Sequence, residues 1–178
     1  MGRFLDLSYK SLFHHGEELC GDQVIISRLE DSKIMILTDG MGHGVRANIL
    51  ATLTGKILLT LFSNQVPIEE AVETIAKTLP LSSVNNAAYC TFSLMQIFDD
   101  GSAYIVEYDN PKAILIRNHE LCEIPFKERQ ISDKSIREAH MQIEIGDAYL
   151  FMSDGALYCG GDQIINYAWD REAIAKYA

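Results

Sequence analysis

Lys33-Ile34-Met35-Ile36-Leu37-Thr38-Asp39-Gly40-Met41-Gly42-His43-Gly44 decides how this chain is read, because an apolar run ends on a carboxylate and passes into alternating glycines. Apolar residues at helical spacing follow from Val45 to Leu61, among them Ile49, Leu50, Leu53, Ile57 and Leu61, and Ser63-Asn64-Gln65 stops the run. Asp39 therefore ends a central strand, and a long, largely buried helix begins just beyond it. Without side chains, the glycines let main-chain groups approach a metal ion or a phosphate beside that carboxylate.

Upstream, Arg3 to Leu12 reads as a first strand and His14 to Asp22 as a polar turn. Val24–Arg28 and Lys33–Thr38 form a hairpin around Glu30-Asp31-Ser32. Downstream, Pro67 opens a second helix, with Glu69 and Glu70 at its positive end, and Pro80 ends it. Short β-rich segments come next: Ala88 to Phe98, Ala103 to Tyr108, Ala113 to Arg117 and Leu121 to Ile124. They are separated by Asp99-Asp100-Gly101, Asp109-Asn110-Pro111 and Asn118-His119, which are turn compositions. Ile136 to Ile145 and Ala148 to Met152 flank Gly146-Asp147, and Asp154-Gly155 closes the last strand. Two short helical patterns follow, with Asp162 and Asp170 placed as N-caps.

Strands, two adjacent helices, antiparallel strands and helices again make an α+β order. Two sheets packed face to face, with helices outside, would bury both the strands and the helical stripes. Tight turns between consecutive strands argue against a parallel, doubly wound sheet.

The 178 residues, 48% of them hydrophobic, suffice for one domain with a substantial core. A formal net charge of −10 argues against nucleic acid or an anionic membrane as partner. The longest uncharged run, near Ile57 to Pro67, is too short to span a bilayer. Cys20, Cys90, Cys122 and Cys159 show no zinc spacing and read as buried thiols of a reducing compartment, so the expected location is the cytoplasm.

Asp22 follows Gly21 before a strand, Asp39 precedes Gly40, and Asp154 precedes Gly155. Any one Asp beside a glycine is first a turn residue. Taken as a set, the three carboxylates and the Gly40 carbonyl can converge, and such a cluster repels itself unless cations fill it. Oxygen donors select magnesium or manganese over zinc. Two such ions about 4 Å apart would polarise a phosphoryl group and activate a water, so phosphoester hydrolysis is the chemistry that fits.

These residues resemble a family. Gly21-Asp22, Asp39-Gly40-Met41-Gly42-His43-Gly44 and Ser153-Asp154-Gly155 look like the ordered motifs of the metal-dependent (type 2C) protein serine/threonine phosphatases, in their bacterial SpoIIE-like branch. Asp109-Asn110-Pro111 falls where that branch often carries a small-residue, His-Pro turn. The resemblance implies an αββα sandwich with two manganese or magnesium ions at one end of the sheets. Asp39 would bridge both ions, one of which would also take Asp22, through water, and the Gly40 carbonyl. The other ion would take Asp154 and a further aspartate. Water at the pair would displace phosphate from phosphoserine or phosphothreonine. The implied substrates are phosphorylated regulatory proteins of the anti-sigma-antagonist type, and the helices after the glycine loop would couple regulation to metal binding.

Two departures matter. No match to the family's last aspartate follows Asp154, since Asp162 and Asp170 read as caps: either the chain, one type-2C-like domain over 1–178, is C-terminally incomplete and lacks the final strand, or the second metal site is short of a ligand and weak. Met41 stands where eukaryotic members carry a His. His43 could protonate a leaving group or pack the loop, and general priors favour packing. Arg46, near the helix start, is the better candidate for meeting a phosphopeptide, with a solvated Arg as the simpler account.

Two nucleotide-binding readings fail in detail. The glycines run G-x-G-x-G rather than the dinucleotide fingerprint, and Met41 occupies the first glycine position of a histidine-kinase-type ATPase motif. The alternative that stands is a catalytically weak or inactive relative that binds a phosphoprotein as a regulatory module.

Overall fold

The computed structural model describes residues 4–12, 15–78, 90–131, 134–157 and 170–177. Expectations concerning His14, Pro80, Ala88, Cys159 and Asp162 lie outside them. Within them two antiparallel sheets form, one ordered β1-β2-β3-β4-β8-β7 and the other β6-β5-β9. The larger sheet comprises β1 (Asp22–Arg28), β2 (Ser32–Gly40), β3 (Cys90–Phe98), β4 (Ser102–Tyr108), β7 (Lys127–Ile131) and β8 (Lys134–Gln142). The smaller comprises β5 (Ile114–Arg117), β6 (Glu120–Cys122) and β9 (Ala148–Leu150).

The layers follow from the two faces of β2, whose residues alternate strictly between buried and half-buried. Ile34 and Ile36 point toward α1 (Gly44–Ser63) and α2 (Ile68–Thr78), joining Ala51, Leu58, Phe92, Leu94 and Val106 in one core. Met35 points the other way, toward Met95, Ile105, Leu115 and Ala139 between the sheets. A third cluster, Ile114, Met152 and Ile174, seats α4 (Arg171–Tyr177) on the outside of the smaller sheet. Helices, sheet, sheet, helix is the expected αββα sandwich.

The expected elements and the observed ones differ at instructive points. Residues 4–12 form no strand; Phe4, Tyr9 and Leu12 are exposed, and only Leu5 reaches the inter-sheet core. With Leu5 alone packed on the core, the stretch gains too little from burial to be held as a strand. The charged segment Lys-Glu-Arg-Gln-Ile, unremarkable as sequence, is β7, a sheet edge with four of five residues exposed, as edge strands that avoid aggregation are.

The stripe on α1 is also displaced. Ala47, Ala51, Thr54, Gly55, Leu58 and Phe62 are buried, whereas Val45, Ile49 and Leu53 are exposed. Small residues make the contact because the helix lies close on the sheet: a Cβ at Gly55 would come within 2.8 Å of Ile25 Cδ1, and the buried Thr38 hydroxyl donates to the Ala51 carbonyl at 2.9 Å. By length and composition α1 could cross a bilayer. Here its small-residue face rests on β2.

Pro67 does open α2, with its carbonyl accepting from Ala71 at 3.1 Å, and Glu69 and Glu70 sit in the first turn. Asp170 caps α4, accepting from the Ala173 amide at 2.8 Å. Asp154 does not close a strand: β9 ends at Leu150, and Asp154 begins the short helix α3 (Asp154–Leu157). Cys90 is buried, but Cys20 and Cys122 are only half-buried, all three as free thiols.

Candidate metal centre

The β1–β2 hairpin brings the first two candidate carboxylates together, since the register pairs Asp22 with Asp39. Directly opposed residues on neighbouring strands share a face, so both carboxylates stand on the inter-sheet side at one end of the larger sheet. On the other side of Asp39 the partner is Thr91 of β3. Asp154 arrives from the opposite wall. The preceding residue, Ser153, is buried and donates its hydroxyl to Asp22 Oδ2 at 2.7 Å, which ties the β9–α3 corner to the first strand.

Electrostatics records the convergence. Burial, then the charges of Asp22 and Asp154 and hydrogen bonding with both, push the Asp39 carboxyl up to about 7. Asp22 and Asp39 are half-buried and Asp154 is exposed, so the cluster opens to solvent on the α3 side. Beside it, burial pushes the Cys90 thiol up to about 11, which leaves it an inert neighbour of the carboxylates.

Gly40 is required for a steric reason. A Cβ there would lie 2.1 Å from the Ala47 carbonyl oxygen, because the strand end runs against the first turn of α1. Its amide donates to the Gly21 carbonyl at 3.3 Å. Gly42 and Gly44 adopt φ of +94° and +68°, the left-handed region open to glycine. His43 caps α1 with extended backbone and no side-chain cap; its Nδ1 lies 2.6 Å from Glu17 Oε1. Through that contact Glu17, which no motif singled out, anchors the glycine loop. Arg46 is exposed.

The donor set suits a hard divalent cation: three carboxylates and the glycine backbone at a strand end, with like charges whose mutual repulsion a cation would relieve. Among the described residues no group of three or more His, Cys, Asp or Glu side chains is closed up as a cation cage. A cavity of about 600 Å³ lies elsewhere, between Ile116, His119 and Leu121 of the smaller sheet and Glu172, Ala175 and Lys176 of α4. It holds none of the candidate residues.

Comparison with known proteins bears on the fold. The fold is shared with the PP2C phosphatase domain and regulatory-domain fragment of SpoIIE from Bacillus subtilis, at TM-score 0.71 and 21% identity, over 86% of this chain and 46% of that one. It is shared too with the RsbU and RsbW domains of a Mycobacterium tuberculosis protein, at TM-score 0.65 and 21% identity, over 82% and 42%. RsbX in complex with magnesium matches at TM-score 0.63 and 19% identity, over 83% and 72%. The chain thus spans less than half the length of the first two structures. No curated protein matches it. The family model described as Stage II sporulation protein E (SpoIIE) matches residues 30–171, a span that contains Asp39 and Asp154 and begins after Asp22. By that match, over most of its length, the chain belongs to the SpoIIE family of PP2C-type phosphatase domains.

Proposed function

We propose that this protein is a cytoplasmic, manganese- or magnesium-dependent phosphoserine/phosphothreonine protein phosphatase. The observation that carries the reading is the register that sets Asp22 beside Asp39 while Asp154 acts on the same carboxylate from the facing corner. A fold does not maintain an uncompensated carboxylate cluster at a sheet end without a functional return.

Asp39, Asp22, Asp154 and the Gly40 carbonyl are the groups that would hold the cations. Bound there, divalent cations would supply charge neutralisation for the phosphoryl oxygens and a more acidic water. The chain's own part is positional. Ser153 holds Asp22 in place, and Gly40 lets the strand end meet α1 without a side chain between. Water attacks phosphorus opposite the serine or threonine oxygen, the P–O bond to that side chain breaks, and the departing alkoxide takes up a proton. The reading extends to substrate: a phosphorylated regulatory protein of the anti-sigma-antagonist type, supported by the regulatory settings named for similar structures, RsbU with RsbW domains and the stressosome.

A second reading, a phosphoprotein-binding module with weak or absent turnover, draws on one observation: the described residues hold no ready-made cage of three ligating side chains. Phosphate release from a phosphothreonine peptide, with and without manganese, separates the two. Hydrolysis that needs manganese and vanishes in Asp39→Asn and Asp154→Asn supports the enzyme. Saturable phosphoprotein binding without release supports the module.

A further inference from the structure

We infer that Thr91, locked by Asn110, is a positioning residue of the Asp39 centre that orients a water between its hydroxyl and the Asp39 carboxylate. The inference rests on the hydrolase reading above and adds Thr91, which its motifs do not contain, and a role for Asn110 of the Asp109-Asn110-Pro111 turn.

The β2–β3 register pairs Asp39 with Thr91, and both side chains stand on the inter-sheet face, roughly 5 Å apart at their Cβ atoms as directly opposed residues are. The Thr91 hydroxyl donates to Asn110 Oδ1 at 2.5 Å. Asn110 is 4% exposed and cannot turn away. Its Nδ2 donates to Ser93 Oγ at 3.2 Å, and its carbonyl accepts from the Arg137 guanidinium at 2.5 Å. Arg137 is itself held by Glu107, which is fully buried and whose other oxygen accepts from the Ala113 amide at 2.7 Å. The turn Asp109-Asn110-Pro111 is thereby fastened on both sides, with Asp109 in the left-handed region at φ +54°.

The polarity of this chain has a consequence at Asp39. A hydroxyl has one proton and two lone pairs. With the proton committed to Asn110, Thr91 faces the centre only as an acceptor, and the Asp39 carboxylate, ionised once a cation offsets its acidic neighbours, would also be only an acceptor. Two acceptors side by side are reconciled by a donor between them. A water giving one proton to each has its own lone pairs turned away from both acceptors, free to meet phosphorus. Were the Thr91 proton free, it would hydrogen-bond Asp39 directly and the water would lose its orientation.

The test compares Thr91→Val, Thr91→Ser, Asn110→Ala and the Thr91→Val/Asn110→Ala pair with wild type, using a phosphothreonine peptide and manganese, with manganese affinity measured by calorimetry. Thr91→Val is expected to lower kcat roughly tenfold to hundredfold with KM and manganese affinity little changed. Thr91→Ser should recover most of the rate. Asn110→Ala should lose as much as Thr91→Val, and the pair no more than either. A wild-type rate in Thr91→Val, manganese affinity that falls in parallel with kcat, or losses that multiply in the pair would each overturn the assignment. Wild-type protein that binds manganese but releases no phosphate sinks the hydrolase reading and this role with it; an active wild type beside an unimpaired Thr91→Val sinks this role alone.

Discussion

Two aspartates next to glycines, Asp39 at one end of the larger sheet and Asp147 at the β8–β9 turn, have opposite fates. Burial alone would raise the carboxyl of Asp147, whose side chain is 3% exposed, yet it lies below the ordinary carboxylate range. Arg117 grips it with two hydrogen bonds, of 2.8 and 2.7 Å, and the Glu144 amide adds a third at 2.8 Å. Burial also raises Asp39, but there the neighbours are Asp22 and Asp154, which raise it further. One carboxylate fastens a turn. The other is kept where it costs stability, and that is how a site differs from a staple when the residue and its glycine neighbour are the same.

The contrast can be broken or sharpened by substitution. The largest effect should come from Gly40→Ala, which drives a methyl into the Ala47 carbonyl and should cost more than about 3 kcal/mol in chemical denaturation. Unchanged stability would mean that the start of α1 yields, and that the carboxylate end is looser than its packing implies.

Asp147→Asn should cost about 2 kcal/mol, since a buried guanidinium-bound carboxylate loses its charge-assisted bonds. The wild-type contribution has a definite pH dependence. Because the folded carboxyl lies below its unfolded value, the stabilisation is present above that unfolded value and disappears as pH falls through the folded one. Asp147→Asn should therefore flatten the acid limb of the stability curve, and an unaltered limb would remove Asp147 from the account.

Asp39→Asn should act in the reverse sense when chelator is present. The unfolded chain ionises near 3.8 and the folded one near 7, so across that window the folded state binds more protons and loses stability as pH rises. The variant should gain about 1–2 kcal/mol at pH 8 and nothing at pH 4, solvent on the open side having screened part of the repulsion. A stability loss at pH 8 would show that Asp39 is a structural anchor after all. The smallest effect is expected for Glu17→Gln, whose contact with the exposed His43 should be worth less than about 0.5 kcal/mol by thermal unfolding; a larger loss would make the loop anchor a third staple.

Asp22, Asp39 and Asp154 were legible as a set because each sits beside a glycine next to an apolar run, and that pattern is local. The hairpin around Glu30-Asp31-Ser32 and the turn at Gly146-Asp147 were legible for the same reason. The buried face of α1 was misread because large apolar side chains mark a core only where there is room for them, and here Ala51 and Gly55 take the contact. Residues 4–12 were over-read as a strand, and β7 was missed, because strand formation depends on packing and pairing partners that local composition does not encode. Glu17 and Thr91 left no local trace, and Ser153 and Asn110 stood in the quoted motifs without any sign of the partners they bond.

Spacing along the chain settled which elements could form and which acidic groups were available, since turn, cap and strand preferences act over a few residues. Strand register, the clasp of Ser153 on Asp22 across 131 positions and the Thr91–Asn110 contact were decided only when distant segments packed. Electrostatic and hydrogen-bonding partners depend on distance in space, and no local preference encodes it.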